Sequence, residues 1–193
     1  GKHTGVEPSP KRWEHSVTEK GAVSIKGWEM QAGGWTGVWA TENTREAIWD
    51  ALMRKEAYST TGPRITVRFF GGFDFTPDDA LTRQPAEAGY AKGVPMGGDL
   101  RAAPAGKAPT FLVAAMKDPL SGNLDRYQIV KGWMDKDGKL NEKVYDVAWS
   151  GDRKPGADGK LPPVGNTVDV ASATWANTIG DPELIAVWTD PDF

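Results

Sequence analysis

Residues 65–70 read Ile65-Thr66-Val67-Arg68-Phe69-Phe70. Their alternation puts Ile65, Val67 and Phe69 on one face of an extended chain and Thr66, Arg68 and Phe70 on the other. The pattern predicts a strand, entered through the Gly62-Pro63 turn that follows Tyr58-Ser59-Thr60-Thr61. Downstream, Thr110 to Met116 is apolar on both faces, as a strand sandwiched between layers must be. Asp118-Pro119 through Gly122-Asn123 supplies a turn. Arg126 to Trp133 and Lys143 to Trp149 then read as a hairpin, with Asp137-Gly138 in the connection and Tyr145, Val147 and Trp149 on one face. Further strands are expected near Thr167 to Trp175 and Leu184 to Trp188. The proline-rich stretch from Thr76 to Pro109 and the segment Gly151 to Gly165 read as long loops. Strands joined by turns, with no helix between them, favour an antiparallel sandwich over a parallel α/β sheet.

Upstream of this region the pattern differs. Asn43 is the expected N-cap of a helix over 44–56, with Glu46 placed to close a capping box. Ala47, Ile48, Ala51 and Leu52 form its apolar stripe. The first sixty residues carry five of the nine tryptophans (Trp13, Trp28, Trp35, Trp39 and Trp49). One helix cannot bury those rings, so this segment needs a partner surface.

Composition narrows the functional classes. The net charge of −3 and the pI near 5.5 give no electrostatic case for nucleic acid or an anionic membrane. The longest apolar runs, such as Phe111 to Met116, fall far short of the roughly twenty residues that span a bilayer, and the chain reads as soluble. With no cysteine, disulfides and thiolate ligands are excluded, and the composition suits cytoplasm or periplasm equally. The two histidines, His3 and His15, do not form an H-x-H or H-E-x-x-H pair, so the chain is not expected to assemble a metal centre alone. Asp135-Lys136-Asp137-Gly138 and the stretch from Asp152 to Gly159 lack the ligand spacing of an EF-hand and read as turns. Ser59, Thr60 and Thr61 have no nucleophile elbow around them, and Gly33-Gly34 and Gly97-Gly98 lack P-loop context. Tryptophans and tyrosines could form a sugar-stacking platform, although aromatics spaced through strands more often fill cores.

Longer motifs add a resemblance. The run from Gly37 to Leu52, GVWATENTREAIWDAL, is followed by Tyr58-Ser59-Thr60-Thr61-Gly62-Pro63-Arg64-Ile65. With them stand Gly1-Lys2-His3-Thr4-Gly5, Pro95-Met96-Gly97-Gly98-Asp99-Leu100, Ser121-Gly122-Asn123-Leu124-Asp125-Arg126 and Ala148-Trp149-Ser150-Gly151-Asp152-Arg153. Together they resemble the bacterial domain-of-unknown-function family 3604 across nearly the whole chain. The shorter helix-Tyr-Ser-Thr-Thr-Gly-Pro-Arg pattern is similar to metallohydrolases of the polymerase-and-histidinol-phosphatase superfamily, including the carbaryl-hydrolase-like group. That likeness implies a distorted barrel whose histidines and aspartates hold divalent ions, followed by a smaller β domain. The implied ligand motifs lie ahead of Gly1, so no ligand transfers to any residue here and no cofactor is expected in this chain. The family pattern also implies a further strand beyond Phe193.

The resulting expectation is an α+β, mainly β chain. Residues 1–62 form a loop and one helix completing a missing upstream barrel domain, the expected partner, and residues 63–193 form an antiparallel β-sandwich. The function implied by the resemblance is part of a metal-dependent hydrolase of ester, phosphoester or related bonds in a small-molecule substrate, with metal-bound water as nucleophile. Lys2, His3, Arg12, His15 and Arg64 are the substrate-facing candidates: Lys and Arg can hold an anionic group and His can transfer a proton. The alternative is a non-catalytic β-sandwich that binds a ligand or carbohydrate, or braces its neighbour.

Overall fold

The structure is a computed structural model. It describes residues 33–193 and, ahead of them, the backbone of two paired strands, β1 (Ser16–Lys20) and β2 (Val23–Lys26). There follow β3 (Thr36–Val38), α1 (Arg45–Met53), β4 (Ala57–Ser59) and β5 (Thr66–Gly72). A 3-10 turn (Pro77–Ala80) leads to α2 (Pro85–Lys92), β6 (Gly93–Pro95) and β7 (Thr110–Met116). The chain ends with β8 (Arg126–Met134), β9 (Leu140–Trp149) and β10 (Glu183–Thr189).

The expected strand at 65–70 is the organising element. β5 lies inside a four-stranded antiparallel sheet of order β10-β7-β5-β6. Register carries the alternation of β5 across the sheet: Phe70 pairs with Leu112 and Leu112 with Val187, while Arg68 pairs with Ala114 and Ala114 with Ile185. Arg68 and Phe70 therefore share one face with Leu112, Ala114, Ile185 and Val187, and Val67 and Phe69 share the other with Val113, Ala115, Leu184 and Trp188.

Each face has its own cover. On the Phe70 face, Phe70, Phe75 and Leu112 form a buried cluster with Ala86 and Ala88 of α2 and with Ile185 and Val187. On the opposite face, Ala115, Leu124 and Leu184 pack with Ile65 and with Tyr127 and Ala148 of the β8–β9 hairpin. An aromatic row, Phe69–Phe111–Trp188–Tyr145, crosses this face with ring centroids 5.3, 5.7 and 4.8 Å apart and ties β9 to the sheet. The described body is thus mainly β and antiparallel, as expected. β7 meets cover on both faces, as its apolar sequence requires, with Leu112, Val113, Ala114 and Ala115 all buried.

Four local expectations are corrected. The helix is capped by Thr44 rather than Asn43, since the Thr44 hydroxyl accepts from the Ala47 N–H at 3.3 Å. It ends at Met53 because Lys55 takes a left-handed conformation (φ 62°). The Lys55 N–H then donates to Leu52 O and the Glu56 N–H to Ala51 O, both at 3.0 Å, closing the helix with a Schellman motif. Second, the stretch 76–109 is not one long loop, because it contains α2 and β6; Pro85 stands at the first helical position, where its missing N–H is no loss. α2 joins antiparallel strands, so the antiparallel reading survives this helix. Third, a bulge where Tyr127 and Gln128 meet Ala148 and Asp146 shifts β9, so Ala148 rather than Val147 or Trp149 accompanies Tyr145 on the sheet-facing side. Fourth, 167–175 forms a turn closed by an isolated Asp169–Thr174 bridge rather than a strand.

Tyr127 gives the sheet–hairpin interface a titratable marker. Burial pushes its phenol up to about 12, against roughly 10 in an unfolded chain. The stability conferred by the neutral, buried phenol is fully present below about pH 10. It is lost as pH rises towards about 12, because the unfolded chain releases this proton first. In urea melts across that interval, Tyr127→Phe should show a shallower loss of stability than the parent. The loss is not abolished, since Tyr90 and Tyr145 are also raised; an unchanged slope would remove Tyr127 from the account.

Candidate functional site

Of the five sequence-predicted site residues, Lys2, His3, Arg12 and His15 lie outside the described residues, as do Trp13 and Trp28. Arg64 is described, and it stands exposed just before β5. Its guanidinium lies 4.1 Å above the Trp35 ring, and its backbone N–H donates to Asp118 Oδ2 at 2.8 Å. That bond and one from the Leu120 N–H hold the Asp118 carboxyl below the usual range. Arg64 thus fastens the entry of β5 to the turn after β7, and it lines none of the clefts described below. Among the described residues, no three His, Cys, Asp or Glu side chains converge as a metal site requires.

A buried charged arrangement lies elsewhere, around Glu56. The Schellman turn that ends α1 directs Glu56 inward, where it is 2% exposed. Three groups meet its carboxylate: Arg54 Nε donates to Oε2 at 2.9 Å, Arg68 Nη1 lies 3.5 Å from Oε1, and the Tyr90 hydroxyl donates to Oε1. Arg68 Nη1 also donates to the Tyr90 oxygen at 3.1 Å. A buried carboxylate persists only when charge and hydrogen bonds replace its lost hydration, and both are present. Partial burial, and then the bond to Glu56, raise the Tyr90 phenol above its ordinary value.

Trp39 caps the group. Its Nε1 donates to Val67 O at 3.0 Å, and its ring lies 3.2 Å from the Arg68 guanidinium carbon. Stacking on tryptophan and pairing with Glu56 fix a long side chain that would otherwise roam. Tyr90 is held from α2 by an edge-on contact with Phe70, centroids 5.1 Å apart. Trp39 just after β3, Arg54 and Glu56 just after α1, Arg68 on β5 and Tyr90 on α2 thus make up the cluster, and Arg68 is its only member on the central sheet.

Arg68 also borders a cleft of about 390 Å³ over the Ala114 side of the sheet. Trp39, Pro85, Ala86, Ala114 and Met116 supply apolar walls, with Arg83, Glu87 and Glu183 as charged groups. A second cleft, of about 470 Å³, lies between the turn at 121–123 and the segment 164–179; Asn166, Thr167, Thr174 and the half-exposed Trp175 face it.

None of Glu56, Arg68, Tyr90 or Trp39 is among the five candidate site residues that the sequence offers, but a signal is present. Alternation placed Arg68 between Thr66 and Phe70 on a face that must be covered, and a charged residue there demands a buried partner. The motifs that were singled out turn out to brace loops. The Asn123 side-chain amide donates to Ile179 O at 3.0 Å and Gly180 O at 3.3 Å. Arg153 reaches Pro162 O and Asp125 O, both at 2.7 Å, and Ser150 is fully buried beneath. Gly97 (φ 85°) passes so close to the helix end that a Cβ there would stand 2.4 Å from Lys55 O.

Fold and site together define a mainly antiparallel β protein with a buried carboxylate–guanidinium–phenol cluster at the junction of helix and sheet. The family described as "Protein of unknown function (DUF3604)" matches residues 1–193, and the chain belongs to it. No curated protein and no solved structure matches the chain.

Proposed function

We propose that this chain is the β-rich part of a metal-dependent hydrolase acting on ester, phosphoester or related bonds, with the divalent ions held by residues outside those described. The observation that carries the reading is the outer face of α1. Ala47 and Ala51 are buried and seat the helix beside β3. Trp49, 61% exposed, stands with exposed Leu52 and Met53 on the other side. Large apolar side chains at i, i+3 and i+4 without cover mark an interaction surface. A preceding barrel domain of the same polypeptide is the occupant that the superfamily likeness supplies. The Glu56 cluster supports this too, because it anchors α1 and β3 rigidly to the sheet, as a shared wall between two domains needs.

A chelator-sensitive esterase and phosphodiesterase screen tests the reading on this chain and on a version extended upstream. Metal-dependent turnover is expected from the longer protein alone. Turnover by the 193-residue chain would overturn the placement of the metals, and inactivity of both, with no metal bound by the longer, would overturn the hydrolase.

The second cleft favours the alternative of a binding module. A half-exposed Trp175 beside amide and hydroxyl groups is a residue mix that suits neutral sugars. Titration with a panel of neutral oligosaccharides, repeated on Trp175→Ala, tests it; no saturable binding removes the alternative.

A further inference from the structure

Arg68 carries more donors than its partners use. Nη1 serves Glu56 and Tyr90, whereas Nε and Nη2 have no hydrogen-bond partner among the described residues. No unpartnered side-chain nitrogen among the described residues is sealed from solvent, and Arg68 lines the cleft of about 390 Å³. Charge points the same way. The single Glu56 carboxylate is shared between Arg54 and Arg68, so Arg68 is not matched by a carboxylate of its own.

The geometry points to a binding site for a small carboxylate with a compact apolar body. The Nε and Nη2 edge of Arg68 presents two parallel N–H donors at the spacing of two carboxylate oxygens. Trp39 and Glu56 have already fixed that guanidinium, so little conformational entropy is lost on binding. The body of the ligand rests against Pro85, Ala114 and Met116, and Arg83 adds a second cation. A phosphate monoester is disfavoured, because exposed Glu87 and Glu183 on the same cleft repel its second charge. This site stands whether or not the parent protein is a hydrolase.

The test is titration of the full 193-residue chain with benzoate, benzamide and phenyl phosphate, read by ligand-observed NMR. Benzoate should saturate, and the other two should bind about tenfold or more weakly, as the loss of one charge-assisted pair predicts. Arg68→Gln should weaken benzoate by a similar factor. If that variant does not fold, Met116→Glu decides: Met116 is exposed on β7 and is not a member of the Glu56 cluster, and a carboxylate placed there should repel the ligand about tenfold. Absence of benzoate saturation, equal binding of benzamide, tighter binding of phenyl phosphate, or an unchanged affinity in Met116→Glu would each overturn the proposal.

Discussion

Glu56→Ala is expected to lower stability by about 3–5 kcal/mol, the usual cost of removing one partner from a buried ion pair. The size follows from what is left behind. The Glu56 side chain is 3% exposed and Arg68 is 18% exposed, so the orphaned guanidinium keeps no carboxylate beside it, with the Trp39 and Phe70 rings and the Tyr90 oxygen as its neighbours. Arg54, 41% exposed, can turn into water and adds little to the loss. Glu56→Gln separates charge from hydrogen bonding: its amide oxygen still accepts from Tyr90, so it should cost less, about 1–3 kcal/mol. Urea denaturation with an unchanged m value is the measurement. A Glu56→Ala protein within about 1 kcal/mol of the parent would mean that the cluster is solvated and that α1 is not anchored through it.

The contrast between Arg68 and Arg64 shows how much the sequence disclosed. Local signals, alternation in β5 and the hairpin and an apolar run in β7, place these strands and β10 to within a few residues, because each strand must bury one face or both. The same alternation put Arg68 on the face of Phe70, which the structure covers with α2. What it could not supply was the partner, since Glu56 comes from beyond a helix end set by the left-handed turn at Lys55, and Tyr90 comes from α2. That helix is hidden in sequence by its own packing: a strip of Ala86, Ala88 and Gly89 has almost no hydrophobic periodicity, yet small residues are what let it lie close on Phe70. Arg64 stood out through its motif, and its geometry gives it a fastening role beside Trp35 and Asp118. The same holds for Asn123, Ser150 and Arg153, where the recognisable residues hold loops and the charged cluster is assembled from positions with no linear signature.

Phe70→Ala should cost about 3–5 kcal/mol, the range for deleting a fully buried aromatic ring. Phe70 is 1% exposed and central to the cluster shared by β5, β7 and α2. Its ring also meets Tyr90, so the loss should reach the Glu56 cluster as well as the core. Gly89 makes this contact diagnostic. A glycine inside a helix ordinarily becomes more stable on replacement by alanine, by up to about 1 kcal/mol. Here the added Cβ would stand 2.5 Å from the Phe70 ring, so Gly89→Ala should instead destabilise by about 1–3 kcal/mol through overpacking. Because the two positions touch, their effects should not add. In the Phe70→Ala background the new methyl enters the space the ring vacated, and Gly89→Ala should become neutral or stabilising. Denaturant melts of the parent, both single variants and the double variant give the coupling directly. Additivity within about 0.5 kcal/mol would show that α2 does not rest on Phe70, and would remove the support that holds Tyr90 over Glu56.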